Sequence, residues 1–422
     1  MNVADSETVS AIMLHNKYIY CNNLSEADII IINTCSVREH AEQKIWNRLD
    51  HIKGLKRKKP EIVTGIIGCM AQRIGDQIIQ HQAVDFVAGP DAYRRIPGLV
   101  ENAIMGKKSS DTGFVIDETY HNILPQRTAT NQITGFISIT RGCNNFCSYC
   151  IVPYTRGRER SRDQQDIFEE ISDLSEKGYK EVCLLGQNVN SYSFGTMQFP
   201  ELLARIADKF SNMRIRFTTS HPKDLSDKLL QTMASYSNIC NHIHLPVQSG
   251  SNRILKLMNR GYTREWYLDR IAAIRHYIPG CGISTDVFCG FCSEAEEDHL
   301  LTLDLMQQSG FQSAFTFKYS ERPGTAAAKN MHDDVPEPVK IIRLNQIIAL
   351  QNKLSLQSNK ADIGNSFEVL IENQSKRSSE HLMGRTCSNK TVVFEKANAK
   401  IGQLVRVKIT EASSATLKGI II

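Results

Sequence analysis

The stretch Ile139-Thr-Arg-Gly-Cys143-Asn-Asn-Phe-Cys147-Ser-Tyr-Cys150-Ile-Val-Pro-Tyr-Thr-Arg-Gly-Arg158 carries three cysteines at spacing C-x3-C-x2-C, just after an apolar strand-like run, Gly135 to Thr140. Three thiolates are one short of closing a tetrahedral zinc site and one short of fully ligating a four-iron cluster. A four-iron cluster held by three cysteines keeps one iron open to a small molecule. The spacing therefore predicts a metal centre with an open position at the carboxyl end of a strand.

Downstream, strand and helix signals alternate. Strands are expected at Gly135–Thr140, Glu181–Leu185, Ile215–Thr218, His242–Pro246, Gly282–Phe288 and Ala314–Tyr319, with helices between them such as Asp166–Lys177 and Thr263–His276. This is the pattern of a barrel, complete or partial, with its active face at the strand carboxyl ends. Polar residues sit at those ends: Gly186-Gln187-Asn188, Ser220-His221-Pro222 and Gln248-Ser249-Gly250-Ser251. Each alone reads equally as a loop cap; with the cysteine triplet they mark one face. Asp286, inside the fifth strand, either faces the lumen or joins a polar network.

Upstream, residues 1–106 read as a small α/β domain. Its strands are expected at Ala27–Asn33, Ile62–Ile67 and Val84–Ala88, and its helices at Ser36–Lys56, with Val37 and Ala41 on the apolar face, and Asp91–Met105. Cys35 and Cys69 each follow a strand, where ligands gather in open parallel sheets. They are ligands on one rim or two structural thiols, and spacing alone favours the second. Cys21, before an Asn-Asn turn, is a weaker candidate. Residues 107–132 read as a linker. After a break at Lys329–Pro338, Val339–Gln357 is a long amphipathic helix, and Ser366–Ile422 alternates as a small OB-like β-barrel does. From Lys360 onward ten Lys/Arg face six Asp/Glu, which suits either a nucleic-acid partner or a solubilising surface.

Composition bounds the class. The 422 residues are enough for two or three domains, and 41% apolar with 23% charged residues is a folded composition. No apolar run approaches the roughly 18 residues of a membrane helix, and the acidic start Met1-Asn-Val-Ala-Asp-Ser-Glu7 is not an export signal. A cytoplasmic chain without membrane contact is expected, and its twelve cysteines read as metal ligands plus buried thiols rather than disulfides. Arg156-Gly-Arg158-Glu-Arg160 is a phosphate clamp or a solvated loop. Cys289-x-x-Cys292, ahead of a Ser293-x-x-Glu296 capping pattern, is a thiol pair at a helix start or two buried cysteines.

With its flanks, the triplet resembles the radical-SAM methylthiotransferases. The similarity runs through Asn2-Val-Ala-Asp-Ser-Glu7, Asn33-Thr-Cys-Ser-Val-Arg38, Gly68-Cys-Met-Ala-Gln-Arg73, Leu245-Pro-Val-Gln-Ser-Gly-Ser251 and Met258-Asn-Arg-Gly-Tyr-Thr-Arg264. The resemblance implies an α/β chain of three parts: an N-terminal Rossmann-like domain (1–106), a partial (β/α)6 radical-SAM barrel (133–358) and a C-terminal TRAM barrel that binds RNA (360–422). It implies two [4Fe-4S] clusters, one on Cys143, Cys147 and Cys150 with S-adenosylmethionine on its open iron, and an auxiliary one on Cys35 and Cys69. The family's third auxiliary ligand lies in a Cys-Gln dipeptide just ahead of the point where Met1 stands, so the chain is expected to begin inside that motif. Tyr149 is similar to the aromatic at the adenine, and Gln187, Ser220 and Gln248 to residues lining the cofactor pocket.

The implied reaction is methylthiolation at C2 of N6-dimethylallyladenosine at position 37 of tRNA. A 5′-deoxyadenosyl radical takes the hydrogen, the auxiliary cluster provides sulfur and a second S-adenosylmethionine the methyl group. No protein acid–base pair is implied. The implied partners are a tRNA anticodon stem-loop, a low-potential electron donor and a sulfur or cluster carrier, and the implied state is a monomer. The rivals are a sister activity, on threonylcarbamoyladenosine or a ribosomal-protein aspartate, and a zinc-containing RNA-binding protein without enzymatic activity.

Overall fold

The computed structural model describes residues 1–35, 39–127 and 133–422, with backbone only at 39–41. Ser36 and Val37, expected to open a helix, and 128–132 at the end of the expected linker lie outside the described residues. The chain divides into two compact units: Met1–Thr128 with Ser138–Phe146 and Cys150–Glu170, and Ala129–Ile137 with Cys147–Tyr149 and Ile171–Ile422.

The first unit is a four-stranded parallel sheet in sequential order, β1 (Ile29–Thr34), β2 (Val63–Gly68), β3 (Phe86–Ala88) and β4 (Ser109–Asp111). Helices α1 (Asn2–His15), α2 (Glu39–Lys56), α3 (Cys69–Ile78) and α4 (Ile96–Ile104) accompany it. Strand β2 is buried along its whole length, which is why its sequence runs apolar rather than alternating. Successive residues serve opposite faces: Val63 and Ile67 pack with Val9, Ile12, Met13 and Tyr93, while Ile62 and Ile66 pack with Leu49, Ile52 and Met70. Helices α1 and α3 were not among the expected elements. The buried face of α1 includes the polar Asp5, Glu7 and Thr8, which hides its amphipathic signature. The unit also contains the short helix α5 (Val152–Arg156), which follows the cysteine stretch.

The second unit holds the six expected barrel strands: β5 (Thr134–Ser138), β6 (Glu181–Leu185), β7 (Arg214–Thr218), β8 (His242–His244), β9 (Gly282–Cys289) and β10 (Ser313–Lys318). They form two three-stranded sheets, ordered β7-β6-β5 and β8-β9-β10, with an Ile215–Ile239 bridge beside the seam. Polar side chains pair between the strands: Arg216 pairs with Glu181 at 2.7 Å, and His244 bonds Ser284 at 2.9 Å and lies 3.5 Å from Asp286, so Asp286 belongs to a polar network. The 24-residue helix Glu337–Lys360 leads to a closed five-stranded barrel ordered β11 (Ser366–Gln374), β12 (His381–Thr386), β13 (Thr391–Glu395), β15 (Leu417–Ile421), β14 (Leu404–Ala412). Its core is Val369, Ile371, Leu382, Val392, Phe394, Val407, Ile409 and Leu417. Strand β12 was not expected from its sequence, His-Leu-Met-Gly-Arg-Thr. Its Gly384 is needed because a Cβ there would stand 2.2 Å from the Leu370 carbonyl oxygen.

The β12–β13 hairpin loop sits at the amino ends of the large-barrel strands. Arg214 donates to the carbonyl of Arg385 at 3.1 Å. Arg216 donates to those of Thr386 at 2.7 Å and Cys387 at 3.0 Å. Gln312 donates to that of Ser388 at 3.0 Å.

Candidate active site

In the first unit, Cys35 directly follows β1, and Cys69 directly follows β2 as the first residue of α3. The parallel register pairs Thr34 with Gly68, so both cysteines stand one residue beyond a paired position, on the same rim. Gly68 makes the turn at φ +93°, and a Cβ there would meet Asn33 Oδ1 and the Thr34 carbonyl at 2.6 Å; only glycine fits. Cys69 is buried, and Arg156 at the end of α5 donates its Nε–H to Cys69 Sγ at 3.2 Å.

The same guanidinium bonds Asp5 at 2.6 Å, and Arg141 bonds the other Asp5 oxygen at 3.0 Å. Burial by itself would raise the Asp5 carboxyl, yet Arg156 and Arg141 overcome it and lower the pKa to about 2. Arg141 also lies over the Tyr120 ring, 4.7 Å from its centroid. Arg156 Nη1, Tyr93 Oη and Asn33 Oδ1 are buried without a hydrogen-bond partner among the described residues. A thiolate-bound sulfide cluster is an acceptor for the Arg156 and Tyr93 donors, so these two residues fit one.

This placement corrects the reading of Arg156 and Arg160 as a phosphate clamp. Arg156 is 4% exposed and committed to Asp5, and Arg160 pairs with Asp91 at 2.8 Å and donates to the Val115 carbonyl at 2.5 Å. Of the three, Arg158 alone is exposed; its guanidinium lies over the Phe146 ring. In this unit the Cys143 backbone N–H bonds the Gly157 carbonyl at 3.2 Å. Gly142 allows the close passage, since a Cβ on it would stand 2.1 Å from the Arg158 carbonyl. Cys150 is half-buried at the head of the segment entering α5. Cys21 is exposed, bonded to the Asn23 carbonyl.

In the second unit, Cys147 is buried and accepts an N–H from Arg260 Nη1 at 3.3 Å. Arg260 also reaches Tyr149 Oη at 3.4 Å, Tyr262 Oη at 3.1 Å and the Pro246 carbonyl at 2.8 Å. It is buried, and among the described residues none of its partners is a carboxylate. A buried cation without an opposing charge is strongly unfavourable, so this spot suits an anionic group at Cys147. Tyr149 is held edge-on by Phe288, with centroids 4.8 Å apart.

The strand-end residues are brought together by Asn188, whose Oδ1 accepts from His221 N at 3.1 Å while Val189 N bonds the Thr219 carbonyl at 2.9 Å. Gln187 Oε1, Ser220 Oγ and His221 Nε2 are buried with no partner among the described residues. Burial, then the Arg260 and Lys223 charges, drive the His221 pKa to about 2. His221 is therefore neutral, and its Nδ1 accepts from Lys223 N, which leaves Nε2–H as a donor. Gln248 sits on β9 through bonds to the Asp286 carbonyl at 2.8 Å and from Phe288 N at 3.1 Å. These unsatisfied donors and acceptors fit a polar cofactor at the strand ends. Arg260 and Asp5 were not singled out from the sequence, although both stand inside quoted motifs, and His221 was quoted only as part of the strand-end stretch Ser220-His221-Pro222.

Among the described residues no three His, Cys, Asp or Glu side chains converge as ligands of one ion do. In a four-iron cluster each thiolate holds a different iron. Cys289 and Cys292 do not open a helix. The helix begins at Glu296 with Ala295 as N-cap, whose N–H bonds Asp298, and Ser293 instead bonds Asp334. Both thiols are buried, which pushes Cys289 to about 12 and raises Cys292, the opposite of an activated pair.

Three family patterns match the chain: Uncharacterized protein family UPF0004 over residues 1–89, the Radical SAM superfamily over 137–306 and the TRAM domain over 360–422. A tRNA-2-methylthio-N(6)-dimethylallyladenosine synthase from Phocaeicola vulgatus is 58% identical over 424 residues, spanning 99% of this chain and 93% of that protein. The synthase of that name from Parabacteroides distasonis is 58% identical over 423 residues, with the same shares. Among solved structures, the radical S-adenosylmethionine methyltransferase TsrM from Kitasatospora setae has a TM-score of 0.61 at 13% identity, covering 77% of this chain and 73% of that one, a likeness of fold. No helix among the described residues is long and apolar enough to cross a membrane. The chain belongs to the tRNA-2-methylthio-N(6)-dimethylallyladenosine synthase family of radical-SAM proteins.

Proposed function

We propose that this chain methylthiolates C2 of N6-dimethylallyladenosine in tRNA. Cys143, Cys147 and Cys150 hold a [4Fe-4S] cluster that takes S-adenosylmethionine, and Cys35 and Cys69 hold an auxiliary cluster. When bound, these groups supply the one-electron chemistry that exchanges an unactivated C–H bond for C–S. The observation that supports this most is Arg260, a buried guanidinium with Cys147 but no carboxylate beside it. Its charge offsets an anionic cluster and its N–H steadies the sulfur.

The other residues have parallel tasks. Arg156 does for Cys69 what Arg260 does for Cys147, with Asp5 fixing its fork. Gln187, Ser220 and His221 Nε2–H offer hydrogen bonds to the polar groups of S-adenosylmethionine, while Tyr149 presents a ring. The closed C-terminal barrel, together with exposed Arg158, grips RNA. An external donor supplies the electron.

Two variants separate the roles. In anaerobically reconstituted protein assayed with an N6-dimethylallyladenosine stem-loop, the triple change of Cys143, Cys147 and Cys150 to Ala should abolish S-adenosylmethionine cleavage. The double change of Cys35 and Cys69 to Ala should leave cleavage intact and abolish the methylthiolated product. Product formation by the double variant would defeat the auxiliary assignment. Turnover of a threonylcarbamoyladenosine stem-loop in preference would assign the sister activity.

A further inference from the structure

Cys240 and Cys387 belong to neither cysteine set described above, yet the fold places them together within the second unit. Cys240 follows the bridge residue Ile239, and its N–H bonds the Ile215 carbonyl at 2.9 Å. The next residue on that strand, Arg216, is held by Glu181 at 2.7 Å and grips the Cys387 carbonyl at 3.0 Å. The two cysteines thus flank one fixed guanidinium, and each thiol is the first cause of the other's shift, holding Cys240 protonated and moving Cys387 toward its thiolate. Cys240 is buried and Cys387 half-buried, both reduced.

We propose that Cys240 and Cys387 form a dithiol modification site that exchanges with small disulfides, closing a bond between the large barrel and the C-terminal barrel. Cys387 is the attacking sulfur because it is the more exposed and because the Cys240 hydrogen bond, with Arg214 and Arg216 nearby, favours its thiolate over that of Cys240. The Cys387 thiolate attacks one sulfur of the small disulfide, RSSR, and expels the first thiolate. Cys240 then loses its proton and attacks the Cys387 sulfur of the mixed disulfide, expelling the second. The net change is protein dithiol plus RSSR to protein disulfide plus two RSH, with the small disulfide reduced.

The test is hydroxyethyl disulfide added anaerobically to the reconstituted full chain, followed by acid quench, alkylation and peptide mapping. Exposed Cys21 reports that the reagent is active. The expected result is loss of both alkylated peptides, 240 and 387, and their replacement by one linked pair, with cluster absorbance unchanged. Cys240→Ser should trap the hydroxyethylthio adduct on Cys387, and Cys387→Ser should leave Cys240 unmodified. Modification of Cys21 without a linked pair overturns the proposal, as does a stable mixed disulfide on wild-type Cys387. The wild-type linked peptide decides the matter even if a variant fails to fold.

Discussion

Single residues carry charges that the fold cannot leave unmatched. Asp5 stands between Arg141 and Arg156 and is 1% exposed. Replacing it with Asn leaves two buried guanidiniums short of their counter-charge, and a loss of roughly 3–5 kcal/mol is expected in urea unfolding of the apo chain. The pH dependence has a definite sign. The folded pKa of about 2 lies below the unfolded value of about 3.9, so the stabilisation is complete above the latter and lost as pH falls through the former. Unfolding midpoints between pH 5 and pH 2.5 should fall for the native chain and fall less for Asp5→Asn. Arg260 gives the opposite expectation. Arg260→Met removes an unmatched charge, so the apo chain should be no less stable in urea, while iron retained after reconstitution and gel filtration should drop. Equal iron content would mean that Arg260 holds no anion.

At the scale of elements, contacts at strand ends decide the architecture. Gly282 opens β9 where a Cβ would meet Gln312 Oε1 at 2.3 Å and the Ser388 carbonyl at 2.4 Å. Gly282→Ala must displace the β12–β13 loop. A cost of about 1–3 kcal/mol is expected, read as faster proteolytic release of the C-terminal barrel with the two three-stranded sheets intact. The barrel strands were legible because short apolar or alternating runs, such as Glu181–Leu185 and Ser313–Lys318, are closed by polar turns, and β2 because both faces are covered. Helices α1 and α3 were not, since α1 buries Asp5 and Glu7 and α3 starts at Cys69 without a capping side chain. Strand β12 stayed hidden because Gly384 answers to the Leu370 carbonyl, a neighbour distant in sequence.

Across the whole molecule, the cysteine spacing with its flanks pointed to the radical-SAM family, whose pattern matches residues 137–306. The partners of those cysteines did not show in the sequence. Arg156 and Arg160 look like an RNA-facing run until Asp5 and Asp91, far back in the chain, are seen to hold them. Long-range ion pairs leave no local signature. The β12–β13 loop has one more consequence. Arg214, Arg216 and Gln312 tether it across the amino ends of the strands, so that end is covered. A nucleoside that reaches the carboxyl ends is then expected to enter and leave by one face, so finished RNA and fresh RNA queue at one door. Methylthiolated stem-loop should therefore inhibit competitively against unmodified stem-loop in initial-rate kinetics, and a purely noncompetitive pattern would point to a second way out.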